Sequence, residues 1–100
     1  MNHNQKIISI KDEYERKNFK CSREFKVWRK DLGRFSKIDI CCFSKTEQPR
    51  CFEVETNKQI FSNQEDLRVA KRLFGAKICQ LNSNQSLKVC QKMVLKNDKL

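Results

Sequence analysis

Three carboxylates could do chemistry in this chain. Asp39 lies in the stretch 37–43 (KIDICCF), and Glu53 and Glu55 lie in 51–56 (CFEVET), both otherwise largely apolar. An ionised carboxylate is poorly tolerated in such a stretch without a partner. Glu53 and Glu55 are two apart, so on a strand they share a face. If the two stretches pair as a hairpin, Asp39 joins them. Three gathered carboxylates repel one another, and a divalent cation relieves that repulsion. Mg²⁺, or Mn²⁺ in its place, is the expected ion, because hard cations prefer carboxylate oxygens. The plainer alternative is a polar face of a half-buried meander, with the acids paired to Lys or Arg across strands.

The elements that must hold these acids are readable from periodicity. Residues 4–18 place Ile7, Ile10 and Tyr14 at helical spacing. Residues 22–29 alternate, with Phe25 and Val27 on one face, and predict a strand. A turn around Gly33 leads to a second strand over 37–43, where Ile38, Ile40 and Cys42 are expected on one face and Asp39, Cys41 and Phe43 on the other. A polar turn carrying Pro49 precedes the third strand, 51–56. Ser62 and Glu65 form a capping-box pattern ahead of an amphipathic helix over 63–74, which Gly75 ends. A fourth strand is expected over 76–81. The order is α-β-β-β-α-β, with an antiparallel hairpin between strands two and three and a parallel pairing of the last strand after its helical crossover. Residues 1–83 read as one domain and 84–100 as a basic helix or tail.

This order, with Asp39 on strand two and Glu53-Val54-Glu55 on strand three, resembles the PD-(D/E)XK nuclease superfamily, to which Holliday-junction resolvases and many restriction-type endonucleases belong. The resemblance runs through Ile38-Asp39-Ile40, Phe52 to Thr56 and the junction Leu73-Phe74-Gly75-Ala76-Lys77-Ile78, about three-quarters of the chain. It implies an α/β, restriction-endonuclease-like core: a mixed four-stranded sheet flanked by helices. Glu55 stands where the usual pattern has Lys, a Glu-x-Glu variant that some restriction-type members share. Tyr14-Glu15-Arg16 is similar to a stretch of archaeal resolvases, which would bring Glu15 to the site, with Glu13 as its competitor.

The resemblance implies a small metal-dependent DNA endonuclease, or resolvase-like protein, that hydrolyses phosphodiester bonds. Asp39, Glu53 and the Val54 carbonyl would hold the cation. Glu55 would orient or deprotonate water, leaving a 5′-phosphate and a 3′-hydroxyl. Lys58, Lys71 and Arg72 are the candidate contacts to nucleic acid. The partner is DNA, including branched DNA, or another nucleic acid, and a homodimer is expected because so small a nuclease has little surface for gripping DNA alone.

Charge agrees with a polyanionic partner. The 100 residues include 22 Lys or Arg and 12 Asp or Glu, a net charge of +10. Residues 1–30 and 61–100 each carry +5, while 31–60, which holds the acids, is neutral. Only 38% of residues are hydrophobic, and no apolar run approaches the length of a membrane span. The polar N-terminus, with His3 in a segment expected to fray, has no signal-like architecture. A cytoplasmic location follows, and with it six cysteines (Cys21, Cys41, Cys42, Cys51, Cys79 and Cys90) serving as buried thiols. Trp28 is expected to cover one end of the core. The competing function is a binding module without chemistry. It would be either a double-stranded-RNA-binding-like α-β-β-β-α domain or a degenerate nuclease fold acting as a subunit. The acidic Gln64-Glu65-Asp66 entry to the second helix opposes the RNA-binding form.

Overall fold

A computed structural model describes residues 1–55 and 64–90. The elements are α1 (His3–Arg16), β1 (Lys20–Arg29), β2 (Arg34–Phe43), β3 (Arg50–Glu55), α2 (Gln64–Phe74) and β4 (Lys77–Asn82). The strands form one open sheet in the order β1-β2-β3-β4. The first three make an antiparallel meander, and β4 runs parallel to β3. The expected element order and both pairing directions are found. The strands β1 and β2 are longer than their apolar runs, because polar residues complete a two-stranded arm around Gly33 (φ +65°).

Each face of the sheet carries one helix and one core cluster. On the α1 face, Ile7 and Ile10 pack against Ile40, Cys42, Phe52, Val54, Cys79 and Leu81. On the α2 face, Leu67, Val69 and Ala70 pack against Val27, Ile38, Cys41, Cys51 and Ile78. A reciprocal Asn2–Gln5 capping box starts α1. The capping-box residue Ser62 lies outside the described residues. Glu65 and Asp66 in the first turn of α2, and Lys71 and Arg72 in its last, complement the helix dipole.

Two expectations are corrected. Ile38 and Ile40 do not share a face: Ile40 packs under α1 and Ile38 under α2. Alternation breaks on β1 at the same rung, where Glu24 has φ +50° and makes no ladder pair between Arg23↔Ile40 and Phe25↔Ile38. Cys21 accordingly packs on the α1 side and Phe25 on the α2 side.

The cysteines are not thiols. They form Cys21–Cys42, Cys41–Cys51 and Cys79–Cys90 disulfides. The first two join residues directly opposite in the register and staple β2 to both neighbours, one on each face. The third ties residues 84–90, expected to begin a basic tail, back onto β4 with Leu87 packed against the core. Three disulfides sit poorly with the reducing cytoplasm expected from the sequence. Among the described residues, no helix is long and apolar enough to cross a membrane.

Candidate functional site

The acids meet where the sheet comes apart. The β2–β3 ladder runs from Cys42↔Arg50 through Cys41↔Cys51 to Ile40↔Phe52 and stops. At the next rung, side chains take over the backbone's hydrogen bonds. The Asp39 backbone N–H donates to Glu53 Oε1 (3.1 Å), and the Val54 N–H donates to Asp39 Oδ2 (2.8 Å). Each carboxyl thus spans the gap to the opposite strand. On its other side β2 also loses its partner at this rung, because Glu24 leaves the ladder. Asp39 therefore sits where β2 is free of both neighbours.

His3, expected to fray, opens α1 instead and places Nε2 3.2 Å from Asp39 Oδ2. Arg23, donating to Asn4 Oδ1, fixes the same end of α1 against β1. Glu53 is almost wholly buried. Burial pushes its carboxyl up to about 9, and the negative charge of Asp39 adds to the rise. At neutral pH Glu53 therefore holds a proton. Glu55, on the same face by alternation, is also raised, by partial burial and by Asp39, with His3 opposing.

Behind Glu53, the buried Asp66 of α2 accepts hydrogen bonds from Arg29 and from Ser36 Oγ (2.6 Å). This pins the start of α2 to the outer rungs of the β1–β2 arm, next to its turn. Directly across from Glu53 on β4 stands Gln80, 3% exposed, whose Nε2 has no partner among the described residues.

The structure brings Asp39, Glu53 and Val54 together and leaves Glu55 within electrostatic reach. Glu15 stands elsewhere, about 18 Å along α1 from His3 at 1.5 Å per residue, in an ion pair with Lys11. Arg72 is exposed and paired with Glu65, and Lys71 lies in the same last turn of α2. Lys58 lies outside the described residues. A cavity of about 720 Å³ on the α1 side, lined by Lys17, Arg50 and Lys77, reaches none of the three acids.

Sequence reasoning did not find His3, Gln80 or Asp66 as neighbours of the acids. A lone His near a terminus and single polar residues in apolar runs acquire meaning only once strands and helices are in register. Among the described residues, no group of three or more His, Cys, Asp or Glu is arranged to hold a metal ion. Compared with protein-family models, curated proteins and solved structures, the chain matches none.

Proposed function

We propose that this chain is a metal-dependent deoxyribonuclease on a restriction-endonuclease-like core, with Asp39 and Glu53 as its centre. One observation carries the reading: two carboxyls from adjacent strands meet at the rung where those strands part. The donor chemistry fits Mg²⁺ or Mn²⁺. Mg²⁺ keeps several waters and is commonly held by one or two carboxylates together with substrate phosphate oxygens, so a preformed cage of three protein ligands is not required. A proton on buried Glu53 marks a place where positive charge is wanted, and a divalent cation would take that proton's role.

When bound, the metal would polarise a phosphate oxygen and lower the pKa of a water. The chain supplies the rest. Asp39 and Glu53, with the Val54 carbonyl, would hold the ion. His3 and the Val54 N–H keep the Asp39 carboxylate aimed across the gap. Glu55, less buried and also raised, would accept the proton of the attacking water.

The test is cleavage of labelled single-stranded, duplex and branched DNA in Mg²⁺ or Mn²⁺, comparing wild type with Glu53→Ala. The expected result is metal-dependent cutting by wild type alone. Equal activity in both would place the chemistry elsewhere. Binding without cutting by the wild type would instead identify a degenerate nuclease fold that works as a binding subunit.

A further inference from the structure

The β1–β2 arm carries an exposed feature that the acidic centre does not use. Trp28 and Phe35 face each other across one rung, in an edge-to-face contact with ring centroids 5.0 Å apart. They are 47% and 62% exposed. Trp28 therefore does not cover the core, as its sequence context suggests. The preceding rung on the same face pairs Lys26 with Lys37, both exposed. The opposite face of the arm is occupied: Val27 packs under α2, and Ser36 and Arg29 bond Asp66. Two lysines set directly across from each other repel, and two large aromatic rings left in water are unfavourable. Both costs are relieved by one kind of ligand, an anionic chain that also carries flat rings.

The arm's position sharpens this. Ser36 and Ile38 lie on the α2 side of β2, so Phe35 and Lys37, which alternate with them, lie on the α1 side, the side from which His3 reaches Asp39. At about 3.3 Å per residue, the lysine rung lies about 6.6 Å from Asp39 and the aromatic rung about 13 Å. That spacing is of the order of one and two nucleotides of an extended strand. We infer that the Lys26/Lys37 and Trp28/Phe35 rungs form a platform for single-stranded DNA. The lysines hold backbone phosphate and the rings stack unpaired bases beside the acidic centre. Paired bases in a duplex do not expose the ring faces that stacking needs, so the platform selects single strands, flaps or frayed ends. The role of the centre as the cutting site rests on the proposed function above; binding to the platform does not.

Trp28 is the chain's single tryptophan and reports on its own site. The experiment titrates the full chain with short oligothymidylate and with a duplex of equal length, in EDTA, following tryptophan emission. Saturable quenching by the single strand is expected, with at least about tenfold weaker response to duplex. Phe35→Ala should weaken single-strand binding about tenfold, Phe35→Leu about as much, and Lys26→Gln with Lys37→Gln should weaken it and flatten its salt dependence. Lys45→Gln, in the β2–β3 turn, should bind as wild type. Circular dichroism checks that each variant is folded.

Absence of quenching, equal response to duplex, or unchanged affinity in folded Phe35 variants would each overturn the platform. A tryptophan shift that tracks protein concentration without DNA would also overturn it, by showing that a second copy covers the rings. Asp39→Asn should leave quenching intact. Quenching by the wild type without metal-dependent cleavage by the wild type would sink only the nuclease reading, whereas wild-type cleavage without quenching would sink only the platform.

Discussion

Strand β2 is two different structures joined at Asp39. On the C-terminal side, Cys41 and Cys42 are bonded to β3 and β1, and both neighbours pair with it rung by rung. On the N-terminal side, residues 34–38 pair only with β1, and Asp39 has no ladder partner on either side. Stapled rungs and open rung are two to three residues apart. A sheet that parts between two strands leaves backbone donors unsatisfied and invites further unzipping. Here the disulfides stop the unzipping, and the Asp39 and Glu53 carboxyls satisfy the freed N–H groups. A small domain can thus keep two carboxyls together in a gap by fastening the rungs next to it.

The largest effect is expected at the open rung. Asp39→Ala should reduce metal-dependent DNA cleavage on the order of 10³-fold, since metal stabilisation of the transition state is worth several kcal/mol. Gel-resolved cleavage rates in Mg²⁺ measure this, and activity near wild type would remove the acids from the chemistry.

At the stapled end, replacing Cys41 and Cys51 together by Ala should cost about 3 kcal/mol in urea unfolding, the usual value for closing a loop of this size. Amide exchange at Val54 should also quicken, because the gap is then no longer held from one side. A variant as stable as wild type would mean that the ladder alone holds the strands.

A pH experiment separates the two ends further. The Glu53 carboxyl is raised from 4.5 to about 9 in the folded chain, first by burial and then by Asp39. The folded state therefore keeps a proton that the unfolded chain gives up above about pH 4.5. This contribution to stability is complete below that pH and drains away as pH rises towards 9. Glu53→Gln has no proton to lose. In EDTA it should be clearly more stable than wild type at pH 8 and should converge with it near pH 4. Parallel curves across this range would contradict a protonated Glu53.

The smallest effect is expected far from both ends. Glu15→Ala removes an exposed ion pair with Lys11 and should shift stability by no more than about 0.5 kcal/mol. Cleavage should remain at the wild-type rate. A large loss would mean that the end of α1 reaches the acids after all.

Much of the frame was legible from local pattern. Ile7, Ile10 and Tyr14 at helical spacing foretold α1, and Phe52 and Val54 foretold the α1-facing side of β3, because packing one face against a helix imposes a period on the sequence. The closeness of Asp39 and Glu53 was also legible, since a short antiparallel hairpin sets its own register. The break between Ile38 and Ile40 was not. It comes from one non-glycine residue, Glu24, adopting φ +50° on a neighbouring strand, and nothing in its local sequence requires that. The disulfides escaped for a similar reason. Cys41 and Cys42 read as adjacent buried residues, and only register shows that each faces a different cysteine.

By itself, then, the sequence determined the element order, the pairing of the hairpins and the identity of the acids. These follow from periodicity and turn chemistry, which act over a few residues. Tertiary structure alone decided where β2 parts from its neighbours, that His3 meets Asp39 across 36 residues, and that Glu53 is buried enough to keep its proton. It also decided that Trp28 faces water beside Phe35 and not the core. Burial, ion pairing and the outward face of a strand depend on which other elements come to lie against a residue, and no local pattern carries that information.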